Sequence, residues 1–281
     1  MPIPKIGFIG AGKVGFTLGR YFASYHIPVS GYYSKSINSS KEAADFTGSK
    51  SLTLEEVIRT SDLLFLTVPD SLLQEVWNSV RSFPLDGKEI CHCSGLFSST
   101  VFQGIETTGA LGFSLHPLSA IHDRLSSYQH MENVYLTLEG PQRGKHLPKL
   151  LSVLKNPVEQ ISADSKVQYH AAAVFCSNLV TAIAKIGSDL FQSSGLSEEF
   201  SDHAWRSLFI GNAQNIIDTG LLASLTGPIE RGDEKTVMLH MNQLQGAARD
   251  VYLLLSQELL SLAKTKNPDR SYSKIEEVLM K

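Results

Sequence analysis

The sequence predicts an α/β fold, a doubly wound and mainly parallel sheet over residues 1–163, followed by an all-helical domain over 164–281. Three observations carry this expectation. Short β-branched and aromatic runs alternate with helical patterns through the first part, and a glycine-rich turn joins the first such run to the first helix. Beyond about Ser165 no further strand-like run appears, and long amphipathic patterns take over.

The elements follow in chain order. KIGFIG reads as a strand and 14–25 as a helix; PVSGYYS is the second strand, with a helix over 39–47. DLLFLTVP is a buried strand, and a helix covers 70–82. KEICHCS, LGFSLHP and NVYLTLE read as strands, 145–154 as a helix and VEQIS as the last strand. Strands joined by helices in this order wind a mainly parallel sheet that takes ligands at the carboxyl ends of its strands. In the second domain, 165–195 reads as one long helix that Gly195 closes as a C-cap, and 197–220 as a second. Residues 234–264 form one long or two abutting helices, and 273–281 a short tail helix.

A chain of 281 residues is long enough for two domains with their own cores. Its 25 Lys and Arg against 28 Asp and Glu leave no basic footprint for nucleic acid or for an anionic membrane surface. Cys91, Cys93 and Cys176 suit neither a disulfide framework nor a four-ligand zinc site, so a reducing cytoplasm is the expected compartment. Strand period places Cys91 and Cys93 on one face and His92 on the other, so no metal site is expected there. The start has no basic segment leading into an apolar one, and no apolar run approaches the roughly 18 residues needed to span a bilayer. Neither a signal peptide nor a membrane span is expected.

Gly10-Ala11-Gly12-Lys13-Val14-Gly15 follows a strand and opens a helix, the context in which such a turn binds a dinucleotide. Gly10 permits the tight turn, Gly12 leaves room for a pyrophosphate, and Gly15 lets the helix pack closely on the sheet, with Gly19 extending that contact. The second strand ends near Tyr33, where an NAD enzyme carries a carboxylate for the ribose 2′-hydroxyl. Here Ser34 and Lys35 offer a hydroxyl and an ammonium that pair with a 2′-phosphate, so NADP is favoured over NAD. Val68 and Pro69 end the third strand along the same edge.

Ser94, followed by Gly95, stands where a nicotinamide or a substrate would lie; a plain strand-ending turn explains it equally well. His116, held extended before Pro117, is a donor to a substrate oxygen or a turn histidine bonded to backbone. On the long helix His170 and Asn178 are functional candidates or satisfied structural groups. In a continuous helix they lie about 12 Å apart along the axis and roughly 80° around it, too far to grip one atom. Arg231 has the fork that binds a carboxylate, unless it only pairs with Asp233, which itself can cap the next helix.

With GAGKVG, HCSG, SLHPL, YHAAAVFCSN and LTGPIERGD in this order, the chain resembles, nearly end to end, Rossmann-like proteins with a DUF2520 domain, within the 6-phosphogluconate dehydrogenase-like superfamily. The resemblance implies an NADP-dependent oxidoreductase, some relatives being similar to an alternative ketopantoate reductase of pantothenate biosynthesis. The layout is also similar to pyrroline-5-carboxylate reductase and to β-hydroxyacid dehydrogenases. The latter place a catalytic lysine where this chain has Val174, so their lysine mechanism does not transfer.

The expectation is therefore an NADPH-dependent reductase of a small anionic 2-oxo acid, with ketopantoate as the candidate substrate. His170 or His116 would be the proton donor, with Asn178 and Ser94 orienting the carbonyl and Arg231 holding the carboxylate. The alternatives are a cyclic imine reductase and a dinucleotide-binding sensor without turnover. Apolar C-terminal helices add the expectation of a homodimer.

Overall fold

The computed structural model describes residues 2–280. The chain divides into two compact units, Met1–Ser177 and Asn178–Lys281, so the first helix after the sheet belongs with the sheet. The break lies beyond the boundary at 163/164 that the change in sequence texture suggested.

The first unit holds a seven-stranded sheet: β1 (Ile6–Ile9), β2 (Val29–Tyr33), β3 (Leu63–Leu66), β4 (Glu89–His92), β5 (Leu111–Pro117), β6 (Leu136–Glu139) and β7 (Val158–Gln160), in the order β2-β1-β3-β4-β5-β6-β7. The first five strands are parallel, β6 runs antiparallel to β5, and β7 is parallel to β6. The connection from β5 to β6 carries a 3-10 segment, Ser127–Asn133, and no crossover α-helix, so the chain returns antiparallel beside β5. The helices are α1 (Lys13–Ser24), α2 (Ile37–Thr47), α3 (Leu54–Thr60), α4 (Leu73–Val80), α5 (His146–Leu151) and α6 (Lys166–Phe175).

Period-two alternation splits the core between the two faces of the sheet. Ile6, Phe8, Leu63 and Phe65 join Phe16, Phe22 and Tyr32 on one face, whereas Ile9, Leu64, Leu66 and Ile90 join Trp77 and Phe102 on the other. Strands covered on both faces read as continuous apolar runs, which is why β3 is LLFL. Gly19 shows how close the layers are, since a Cβ there would lie 1.6 Å from the Tyr32 hydroxyl oxygen.

Several local expectations change. Helix α3 is an additional element, opened by the capping box of Thr53 and Glu56 and anchored by buried Val57 and Ile58. The expected helix over 70–82 begins with a 3-10 turn, Asp70–Leu72, before α4. Helix α5 is capped from a distance: the buried Glu89 carboxylate accepts the amides of Lys145, His146 and Leu147 at 2.6, 2.9 and 2.7 Å.

The single long helix expected over 165–195 is interrupted after Phe175. Ser177 Oγ donates to the Ala173 carbonyl at 2.7 Å, while the Ser177 amide turns to Val174 at 3.2 Å. The stretch Ala163–Ser193 also corrects a second expectation: it holds an 18-residue window of mean hydropathy 1.4, none of it buried, long and apolar enough by composition to cross a bilayer. Interspersed Ser, Asn and Thr disguise it in a search for uninterrupted apolar runs.

The second unit contains α7 (Asn178–Ser193), α8 (Glu198–Thr219), α9 (Leu221–Ser224), α10 (Pro228–Arg231), α11 (Glu234–Gln243), α12 (Gly246–Lys266) and α13 (Ser273–Leu279). Residues 234–264 thus form two helices, separated at Leu244 and Gln245. Leu225, Ile229, Val237, Met241, Leu260 and Ile275 build its core. Helix α7 contributes no buried residue; Leu179, Ile183 and Leu190 on it, and Leu208, Ile210 and Ile217 on α8, are exposed.

Candidate functional site

The chain leaves β1 for β2 on one side and crosses to β3 on the other, and at that switch point a crevice opens at the carboxyl ends of β1 and β3. Gly10 has φ +111°, a left-handed backbone that suits glycine, and a Cβ on it would lie 2.5 Å from the Thr67 carbonyl oxygen. At Gly15 a Cβ would lie 2.7 Å from both the Gly10 carbonyl oxygen and Thr67 Oγ1. Gly12 differs: a Cβ there meets only the Thr67 carbonyl oxygen, at 3.9 Å. The open side of Gly12 is thus space that a side chain would take from a ligand. Helix α1 starts beside it with no side-chain cap, leaving the amides at its N-terminus for a phosphate. The turn therefore fits a dinucleotide pyrophosphate.

A cleft of about 350 Å³ runs from this turn. Gly10, Ala11 and Gly12 line it, with Ser34 and Lys35 after β2 and Val68 and Pro69 after β3. Lys13, Val14 and Gly15 belong to the first turn of α1. Lys35 is exposed and paired with Glu75 of α4 at 2.8 Å. Glu75 lines the same cleft and is a neighbour that spacing along the chain does not reveal.

The carboxyl ends of β4 and β5 hold a second group of residues. His92 is fully buried, its Nε2 bonded to the Ser98 carbonyl at 3.1 Å and its Nδ1 accepting the Ser94 amide at 3.2 Å. Burial holds its pKa to about 4, against the weaker opposing effect of the Ser98 contact. Ser94 is committed to the turn: its hydroxyl donates to Asp70 at 2.7 Å and accepts the amides of Leu96 and Phe97 at 3.1 and 3.0 Å. It retains no proton for a substrate oxygen, which favours the strand-ending-turn reading of this residue.

Beyond it, His116 on β5 and His170 on α6 face each other with ring centroids 6.4 Å apart. Gly95 lies between them, where a Cβ would stand 2.6 Å from His170 Cδ2 and 3.0 Å from His116 Nε2. His116 is half-buried, and burial first, then Lys166, His170 and His92, bring its pKa down to about 4. A neutral imidazole is suited to donate a hydrogen bond to a carbonyl or imine. Cys91 and Cys93 are not nucleophiles here, because burial raises both thiols, Cys93 to about 12.

Lys166 and Tyr169, both on α6, escape a search for catalytic motifs. Lys166 is 1% exposed, and its ammonium donates to the Ser94 carbonyl oxygen at 2.7 Å and to Ser114 Oγ at 2.8 Å. The signal available in the sequence is their spacing: 166, 169 and 170 lie on one face of a helix.

Asn178 and Arg231 belong to the second unit. Asn178 is the exposed first residue of α7, and the break before it removes the continuous helix on which its spacing from His170 was calculated. Arg231 is exposed at the end of α10 and makes no ion pair among the described residues. Asp233 caps α11 through the Thr236 amide and hydroxyl, at 3.1 and 2.7 Å.

Comparison with known proteins follows this geometry. No curated protein sequence matches the chain. Residues 2–117 match the Rossmann-like domain family, and residues 134–259 match DUF2520, a domain of unknown function. Among solved structures, a protein from Thermotoga maritima is 26% identical with a TM-score of 0.75, covering 93% of this chain and 99% of that one. A candidate NADP oxidoreductase from Bacteroides fragilis is 21% identical at TM-score 0.70, covering 92% and 98%. The Plasmodium falciparum pyrroline carboxylate reductase, solved with NADP bound, shares the fold at 14% identity and TM-score 0.58, with coverage of 92% and 98%. Residues 2–117 are thus similar to the Rossmann-like domain family and residues 134–259 to DUF2520, and the chain shares its fold with these solved structures over nearly its whole length.

Proposed function

We propose that the chain is an NADPH-dependent oxidoreductase that reduces a small 2-oxo acid, with ketopantoate as the first substrate to test. The observation that carries this reading is the meeting of His116 and His170 beside Gly95, on the same carboxyl edge of the sheet as the open glycine turn. The turn and the amides of α1 would hold the pyrophosphate, and Ser34 and Lys35 would meet the 2′-phosphate. When bound, the reduced nicotinamide supplies hydride to a carbonyl carbon. The residues of this chain position the acceptor: His116 Nε2 donates to its oxygen and the Ser94 turn walls the site. The fold shared with NADP oxidoreductases supports the cofactor assignment.

Cyclic imine reduction is the second reading. It draws on the shared fold of pyrroline carboxylate reductase and on the exposed Asp70 carboxylate at the Ser94 turn, a partner for an iminium cation. A panel of oxo acids and cyclic imines, assayed by NADPH oxidation beside NADPH and NADH titrations, separates these readings. Turnover of an oxo acid supports the first and turnover of an imine the second. NADPH binding without any turnover would make the protein a dinucleotide sensor.

A further inference from the structure

A chain of hydroxyls ends on the ring of His116. Tyr169 Oη lies 2.7 Å from His116 Nδ1 and accepts the Thr137 hydroxyl at 2.8 Å. Thr137 is the residue paired with His116 in the antiparallel β5–β6 ladder, so the sheet itself delivers the threonine to the phenol. A threonine hydroxyl has one proton. At 2.8 Å it goes to Tyr169 in preference to the His116 carbonyl oxygen, 3.5 Å away. With that lone pair occupied, the phenol directs its own proton to the ring nitrogen beside it. Nδ1 is then an acceptor, and a neutral imidazole carries its proton on Nε2. Nε2 points toward Gly95 and has no hydrogen-bond partner among the described residues.

We infer that Tyr169 is a positioning residue, which with Thr137 locks His116 as the Nε2–H tautomer and aims that donor at a carbonyl or imine group held beside Gly95. The assignment rests on the reductase reading above and deepens it, since it names the atom that meets the substrate and the group that fixes its protonation. Besides the Tyr169 phenol, three titratable groups act on the ring: His92 from β4, and Lys166 and His170 from α6. All three act against protonation of His116. The ring is therefore a neutral donor over the physiological range, and its tautomer decides whether it can act. Without the phenol, the Nδ1–H form becomes accessible beside the Nε2–H form, and a ring with its proton on Nδ1 presents a lone pair to the substrate oxygen.

Long-range proton–nitrogen spectra of the ¹⁵N-labelled protein read the tautomer directly, with His116→Gln assigning the signal. The wild type should show a bare Nδ1 and a protonated Nε2 across neutral pH. Tyr169→Phe keeps the aromatic packing and should mix the two tautomers. With whichever substrate of the panel is turned over, the same variant should lower kcat at least about tenfold, as lost orientation of a catalytic group does. KM, NADPH affinity and melting temperature should stay near wild type, and Tyr169→Phe should add little to His116→Gln. An Nδ1–H tautomer in the wild type, or wild-type kcat in Tyr169→Phe, overturns the inference. If the panel yields no turnover the reductase reading falls, whereas the spectrum still decides the tautomer lock.

Discussion

The ammonium of Lys166 donates to the carbonyl oxygen of Ser94 at 2.7 Å, binding α6 to the turn that ends β4 from inside the sheet unit. This cation also acts against protonation of His92 and His116, both held to about 4 chiefly by burial. Both folded pKa values lie below the 6.5 of a free histidine, so between pH 6.5 and about 4 the unfolded chain binds more protons. Stability is therefore full above pH 6.5 and falls as the pH drops toward 4. For fully buried His92 the loss is about 3 kcal/mol. Denaturant melts at stepped pH should trace that slope, and Lys166→Met should flatten it by letting both pKa values rise. A slope unaffected by the substitution would mean that Lys166 does not act on the histidines.

The Lys35–Glu75 pair sets an expectation for cofactor choice. A 2′-phosphate must take Lys35 from Glu75, and the carboxylate repels it. Glu75→Gln should tighten NADPH several-fold and leave NADH nearly unchanged, while Lys35→Asp should weaken NADPH. Fluorescence titration of both dinucleotides measures this, and equal NADPH and NADH dissociation constants in the wild type would remove the NADP preference.

Gly95 offers a small substitution with a specific consequence. Its backbone does not require glycine, yet the added methyl of Gly95→Ala would meet His170 and His116 Nε2. Turnover should fall at least about tenfold, because displacing an aligned group by a fraction of an ångström is enough to lose it. NADPH affinity and melting temperature should hold. Full turnover in this variant would place the substrate elsewhere.

The exposed Leu179, Ile183 and Leu190 of α7 motivate the homodimer. An apolar face of this extent on a folded chain marks an interaction surface. Light scattering after size exclusion should give twice the 30.8 kDa chain mass, and Ile183→Glu should shift it to the monomer. A monomeric wild type would overturn the dimer, and binding to neutral vesicles would instead assign the face to a bilayer.

Much of the sheet unit is legible in local chemistry. The strand-turn-helix setting of Gly10, Gly12 and Gly15 is contiguous, so one stretch of chain specifies the turn, the helix N-terminus and the space above Gly12. The apolar run of β3 identifies a strand covered on both faces, because each residue has a core of its own to enter. Candidates His116 and His170 were visible as residue types, each with an equally good structural explanation. Only the fold could bring their rings to 6.4 Å across Gly95, because 54 residues and a reversal of strand direction separate them in the chain. The same holds for Lys166 beneath Ser94, Tyr169 on His116, Glu89 capping α5 and Glu75 on Lys35. The break at Ser177 is a local change of backbone pairing, its amide turning to the Val174 carbonyl, that residue type does not decide. Short-range steric and periodic constraints are written into neighbouring residues, whereas the protonation and direction of a catalytic group depend on which distant polar atoms packing brings within 3 Å.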